Sequence, residues 1–438
     1  MNQKGRRQKV EGILPFALVF VFLPVVAAAQ SRNPFADLFG TEPPQSGREF
    51  TKVTFRSTSG AQMGWALENE FELPDGVIPE GISAGADAVL SAQYVRDRAQ
   101  VIAQGRYSYQ EYRQDPPFGA PAFDAAISMR FRPRTRLAFQ GGANAARSPY
   151  FSLTWLPPDQ AVTITPVDRA SILLMQNDTI GATAGIISHY TRRSSLEISG
   201  MVRQTDFAYS PQRDYSTVGG MVQWRRQMSR DVAVHGGYGR EQLEQQLTDS
   251  RKRVINERID IGVEYGRSLS FARRTSFGFG TDTSMVSENG GPRHFRLNGN
   301  VLLQHGFART WQFIVGARRG SEFLPGFNSV VYTDSGHAVL AGYLAKRVIL
   351  NLNAQGGQGQ AGLSDPRKFI SYTGSAKVTF ALTRHFGMFT QYAYYHYQMP
   401  ANPDALFEVP KGARQSVAIG VEAWAPIFNK EKVTRDPR

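Results

Sequence analysis

Arg106, Arg203, Arg225, Arg258, Arg296, Arg318 and Lys377 each stand at a polar position of a segment in which apolar and polar residues alternate. Glu197, Asp260, Glu264 and Glu422 stand at equivalent positions. Fixed charges on one face of such segments bias which ions enter a water-filled space beside them. The seven basic and four acidic side chains predict a mild preference for anions, although any one of them alone reads as an ordinary solvated wall residue. Catalytic patterns are weak by comparison. The seven histidines (His189, His235, His294, His305, His337, His385, His396) show no HExxH or paired-ligand spacing, and no G-x-S-x-G elbow is present. GGYGRE at Gly236 sits in a strand pattern with no helix after it, so a phosphate loop is not expected. The chain has no cysteine, which removes disulfides, thiolate metal sites and Cys nucleophiles together. No cofactor, metal or catalysis is expected. A hydrolase needs only one Ser and one His on neighbouring strands and stays open as an alternative.

The elements that must position these charges show a period of two. In AKRVILNLNAQG, Val348, Leu350, Leu352 and Ala354 share one face, and Ile349, Asn351, Asn353 and Gln355 the other. In HFRLNGNVLLQ, Phe295, Leu297, Gly299, Val301 and Leu303 oppose Arg296, Asn298, Asn300, Leu302 and Gln304. In ERIDIGVEY, Ile259, Ile261, Val263 and Tyr265 oppose Arg258, Asp260, Gly262 and Glu264. YTGSAKVTFAL repeats the pattern, with Tyr372, Gly374, Ala376, Val378, Phe380 and Leu382 together.

Short turns, usually carrying arginine, separate such segments: VRDRAQ, FRPRTRL, YTRRSSL, MSRDV, FARRTSF, FARTWQF, LAKRVIL and LTRHFGM. The other connections are longer and richer in Gly, Pro, Asp and Asn. Eight short turns join sixteen strands. A strand drawn from 51–73 precedes them and one from 415–424 follows, for a total of eighteen. An even number places both termini on the short-turn side.

A soluble sheet would need a second protein layer over each apolar face. Eighteen amphipathic strands of about 10 residues instead match a tilted bilayer crossing, with lipid on that face and water on the other. Closure into a barrel satisfies every backbone N–H and C=O and leaves no sheet edge. The fold class expected is therefore all-β, a transmembrane antiparallel up-and-down β-barrel of about eighteen strands. A soluble propeller is disfavoured, because its repeat carries four shorter strands. Two aromatic girdles are expected. Tyr107, Tyr109, Tyr112, Trp155, Tyr209, Tyr238, Tyr392, Tyr394 and Tyr397 lie at loop ends, and Tyr190, Trp224, Tyr265, Phe271, Trp311, Tyr343, Phe380 and Trp424 at turn ends.

The N-terminus adds an address. Lys4, Arg6, Arg7 and Lys9 precede an apolar stretch over 13–26, and Ala27 and Ala29 then offer small residues for cleavage before Gln30. Residues 1–29 read as a signal peptide, 30–50 as a flexible periplasmic lead-in, 51–428 as the barrel and 429–438 as a periplasmic tail. A single membrane anchor is the alternative for the leader, but its apolar part is short. Removing the leader takes four basic and one acidic residue from 50 and 37, for a net charge of +10. That charge is spread along the chain and no nucleic-acid motif accompanies it, so nucleic acid is not an expected partner.

Over roughly 51–428 this pattern resembles the porin-like outer-membrane β-barrels of Gram-negative bacteria. Turns such as FRPRTRLAF resemble those of a large β-barrel porin group, some of whose members accompany exopolysaccharide export machinery. The resemblance implies an outer-membrane location, outer-membrane lipid and the insertion machinery as partners, and a hydrophilic solute or a polysaccharide as cargo. Periplasmic export partners would dock on the lead-in or tail. Such barrels commonly end on an aromatic residue, whereas here Trp424, Pro426 and Phe428 are followed by NKEKVTRDPR. The longest insertion spans 148–178. In porin-like barrels a long loop often folds inward, which would put Tyr150, Phe151, Trp155, Asp168 and Arg169 at a constriction. A surface loop or an extra hairpin at 161–174 is the alternative.

Overall fold

The structure, a computed structural model, describes residues 48–66, 81–112, 118–148, 176–208, 214–229, 231–246, 251–268, 275–288, 292–307, 310–323, 330–361, 368–398 and 412–433. These form eighteen strands. They are β1 (Arg48–Ala66), β2 (Gly81–Arg96), β3 (Ala99–Tyr112), β4 (Phe118–Arg134), β5 (Leu137–Ser148), β6 (Asn177–His189), β7 (Ser194–Phe207), β8 (Tyr215–Gln227) and β9 (Val232–Gln246). The series continues with β10 (Arg251–Ser268), β11 (Thr275–Glu288), β12 (His294–Phe307), β13 (Trp311–Glu322), β14 (Val331–Ala345), β15 (Val348–Ala361), β16 (Lys368–Ala381), β17 (Phe386–Gln398) and β18 (Gly412–Val433). Each pairs antiparallel with its sequence neighbours, and β1 pairs with β18 from Arg48↔Val433 to Ala66↔Arg414, which closes the barrel. The eight short turns stand at one rim with both chain ends, and the longer connections at the other.

Period-two alternation sets the faces. On β12 the exterior takes Phe295, Leu297 and Val301, the first of them 68% exposed. Ile180 on β6, Ile261 on β10 and Ile419 on β18 are likewise more than half exposed. A soluble protein does not leave such a band in water; a bilayer covers it at a gain of about 25 cal/mol per Å². Strands run from 12 to 22 residues, longer than the roughly 10 that a bilayer crossing needs, so their ends project past it.

The boundaries move slightly from the sequence expectation. The barrel begins at Arg48 rather than 51. β18 continues past 428 to Val433, paired with β1 throughout, so Phe428 sits opposite Val53 inside a strand and the segment expected as tail from 429 starts as sheet. Residues 1–47, including Ala27 and Ala29, lie outside the described residues.

At the turn rim the exterior carries Tyr190, Trp224, Phe307, Trp311 and Phe380. Trp224 Nε1–H donates to Tyr190 Oη, and Phe307 stacks on Trp311 at 5.7 Å. Two rings expected in this girdle turn out otherwise. Trp424 shares the inner parity of Glu422, and Tyr343 pairs with Ile349, whose neighbour is the inward Thr379. Counting from the turns could not show this, because face is set by register. Trp155, Tyr209 and Phe271 lie outside the described residues.

Val301→Arg should cost about 2–4 kcal/mol of folding stability, the range for a basic residue on a lipid face near the midplane. Asn300→Arg, one position back and facing inward, should cost less than half as much. Equilibrium urea unfolding of the two variants in vesicles measures the difference.

Candidate functional site

The inner wall is the candidate site, because register brings there the charges that alternation singled out. Arg203 shares the inner face of β7 with Thr205 and Phe207. Arg318 lies opposite Asn300 and Ser335, and Ser335 Oγ–H donates to its carbonyl at 3.4 Å. Glu197 accepts from Gln140 Nε2 at 2.8 Å. Five basic residues have carboxylate partners on other strands. Arg106 donates to Asp87, Arg225 Nη2 lies 2.7 Å from Glu264 Oε2, and Lys377 Nζ lies 2.7 Å from Glu422 Oε2. Arg258 is 3.9 Å from Asp282, and Arg296 is 3.3 Å from Asp334 with its guanidinium over the Tyr332 ring.

These contacts build two belts. In the first, signs alternate around one arc of the wall: Lys377 on β16, Glu422 on β18, Arg56 on β1, Asp87 on β2, Arg106 on β3 and Asp124 on β4. Glu422 Oε2 accepts from both Arg56 Nη2 (2.9 Å) and Lys377 Nζ, whose ammonium also lies 4.3 Å from the Phe389 ring centroid. Asp124 is the strand partner of Arg106. The wall behind these groups is backbone and lipid, where an unpaired charge is costly, so alternation of sign around the arc lowers the energy of every member.

The second belt centres on His235 of β9. Its Nε2 is 3.0 Å from Asp260 Oδ1 and 3.2 Å from the Thr281 carbonyl, two acceptors, so that nitrogen carries a hydrogen. Its Nδ1 faces Glu264 Oε1 at 3.4 Å. Gln223 Nε2–H donates to Asp260, and Arg225 closes on Glu264 from β8. A break in register makes room for this. Ile259 pairs with Thr283 and Tyr265 with Phe279, so six steps along β10 face four along β11. Gly262, opposite His235, lies at the crowded point, where a Cβ would collide with the Thr281 carbonyl. Among the described residues no group of His, Asp or Glu has the arrangement to hold a metal ion.

Toward the long-loop rim the wall turns apolar on one arc. Phe207, Tyr215, Leu243, Val254 and Val286, from the inner faces of β7 to β11, pack with Phe323, Val330 and Tyr332, which flank the β13–β14 connection. The described residues at the two ends of the β13–β14 connection therefore turn inward onto this arc. The constriction expected at 148–178 rested on Tyr150, Phe151, Trp155, Asp168 and Arg169, all of which lie outside the described residues.

Sequence reasoning missed Arg56, Asp87, Asp124, His235 and Asp282. Alternation would have found Asp87, which shares a face with Gly85, Val89 and Ser91 while Ala84, Ala86, Ala88 and Leu90 take the other. No local signal marks Arg56 as a partner of Glu422, 366 residues away.

No protein-family model matches the chain, and no curated protein matches it. Several solved structures are similar to it over most of their length. Pseudomonas aeruginosa OpdQ is 8% identical, with 87% of this chain and 98% of that chain covered and a TM-score of 0.44. Acinetobacter baumannii OccAB4 is 10% identical, with 88% and 100% covered and a TM-score of 0.42. Pseudomonas aeruginosa OccK2 (OpdF), in complex with glucuronate, is 8% identical, with 86% and 98% covered and a TM-score of 0.43. The barrel described above rests on its own pairing register.

Glu422→Gln leaves Lys377 and Arg56 without their shared carboxylate. It should cost about 2 kcal/mol, within the range for a charged hydrogen-bond partner removed from a buried site. Glu422→Gln combined with Lys377→Met should recover part of that loss. Urea midpoints of the single and double variants read out both values.

Proposed function

We propose that this chain is a porin-like channel of the Gram-negative outer membrane, passing hydrophilic solutes through its lumen without catalysis. The observation that carries this reading is the contrast between the two faces of one closed sheet. Its exterior is apolar and exposed, while its interior presents Arg, Lys, Asp, Glu, Gln and Asn. A barrel of 16–18 strands is wide enough to leave an aqueous path, and polar walls hold water in it. Lipid and the insertion machinery are the partners such a barrel requires.

A mild anion preference belongs to the same reading. Arg203 and Arg318 stand on the wall with the other basic residues, and Arg56 adds a further cation beside Lys377. Inward carboxylates Asp87, Asp124 and Asp282 work against it, so the bias is expected to be small. Cargo enters past the arc left uncovered by Phe323 and Tyr332, along the belt from Lys377 to Asp124.

Planar-bilayer recording of the purified protein tests this. The expected result is stable open-channel current with a reversal potential in a KCl gradient on the anion side of zero. A cation-side potential removes the anion preference, and a silent inserted barrel removes the channel.

A further inference from the structure

The arginine-bearing short turns are not used by the lumen, and their charge is one-sided. Between strands, the eight short connections hold eleven Lys or Arg against two Asp. The nine long connections hold six Lys or Arg against thirteen Asp or Glu. The barrel is therefore positive at the rim bearing the chain ends and negative in its long connections.

The turn arginines are placed by a recurring backbone contact. The carbonyl of the residue just before the outgoing strand accepts an N–H from the strand that follows. Arg132 N donates to Arg98, His189 N to Arg136 and Gln227 N to Arg193, each at 2.7 Å, and Ala381 N donates to Arg347 at 2.8 Å. These bonds tie down the backbone and leave the four guanidinium groups exposed. Among the described residues none of the four has a carboxylate in ion-pair range. Large apolar side chains lie within two residues of the same kind of turn and are also exposed: Tyr190, Met228, Leu344 and Leu382 are each about half exposed or more.

We propose that this rim binds the anionic headgroups of the bilayer leaflet that surrounds it, as an annular site for acidic phospholipid. Two observations favour lipid over a soluble acidic partner. The arginines are distributed around the circumference, at the turns β2–β3, β4–β5, β6–β7 and β14–β15, whereas one docked protein covers one arc. In addition, apolar side chains beside cations suit the headgroup boundary, where the chain end is greasy and the head charged. Attraction to an anionic surface is worth on the order of fivefold in affinity per arginine near it.

The test uses the whole protein in nanodiscs of phosphatidylcholine with a minor fraction of phosphatidylglycerol, followed by native mass spectrometry of the lipids it retains. Retained phosphatidylglycerol should be enriched over its bulk fraction, and the enrichment should fall as salt rises. The variant Arg98→Ser/Arg136→Ser/Arg193→Ser/Arg347→Ser should lose about tenfold or more of that enrichment. Arg240→Ser/Arg293→Ser, on the long-loop side, should keep it. No enrichment in the wild type overturns the proposal without any variant having to fold. Equal enrichment in the turn variant, or equal loss in the long-loop variant, overturns it too. Binding of soluble polyglutamate at the turns without lipid enrichment overturns it in favour of an acidic macromolecule. None of these results depends on whether the lumen conducts.

Discussion

Everything in this molecule follows from the need of a backbone in hydrocarbon to satisfy its own hydrogen bonds. An open sheet would present a row of unpaired N–H and C=O groups to lipid along each edge. The pairing of β1 with β18 removes both edges. Once the sheet is closed, each side chain has only two places to go, and the period of two decides which. The outer positions are filled by residues such as Ile261, Leu297 and Ile419, which need no partner because lipid supplies one. No second layer of protein is required, and a chain of modest apolar content can build a large structure.

Closure also shapes the chemistry inside. The wall is one strand thick, so an inward charge has lipid close behind it and can be neutralised only by a neighbour along the wall. The chain resolves this with partners from adjacent or next-adjacent strands, as in Lys377–Glu422–Arg56 and Arg225–Glu264–His235–Asp260. The second group needs more room than a regular ladder allows. The irregular register between β10 and β11 and the bare Cα of Gly262 supply it. At the rims the two faces lose their meaning, and Phe323, Val330 and Tyr332 can fold inward onto an apolar arc.

Much of this was legible in the sequence. The eighteen strands, the eight short turns and the inward face of segments such as 258–264 follow from alternation, which is local and strong. The resemblance to porin-like barrels agrees with the closed eighteen-strand sheet. What alternation cannot supply is the identity of a partner on a distant strand. Glu422 could be assigned to a face, but its contact with Arg56 depends on the ends of the barrel meeting. Nor does it hold near bulges and strand ends. Trp424 and Tyr343 stand close to register shifts at Val53/Thr54 and Tyr343/Ala345, and both were misplaced on the exterior by counting from the nearest turn. The apolar cluster at the long-loop rim was invisible for a related reason, since its members are single inward residues of five strands plus a connection read as loop.

The central claim is that hydrocarbon lies on one face of these strands and water on the other. The chain has no cysteine, so single cysteines introduced at successive positions from 295 to 304 on β12 can each carry one nitroxide label without background. Collision rates in vesicles with oxygen, which partitions into lipid, and with a water-soluble nickel chelate should alternate out of phase. Oxygen should win at 297, 299, 301 and 303, and nickel at 298, 300, 302 and 304. Labels sheltered from both reagents at alternate positions would mean a dry protein interior and would contradict the account.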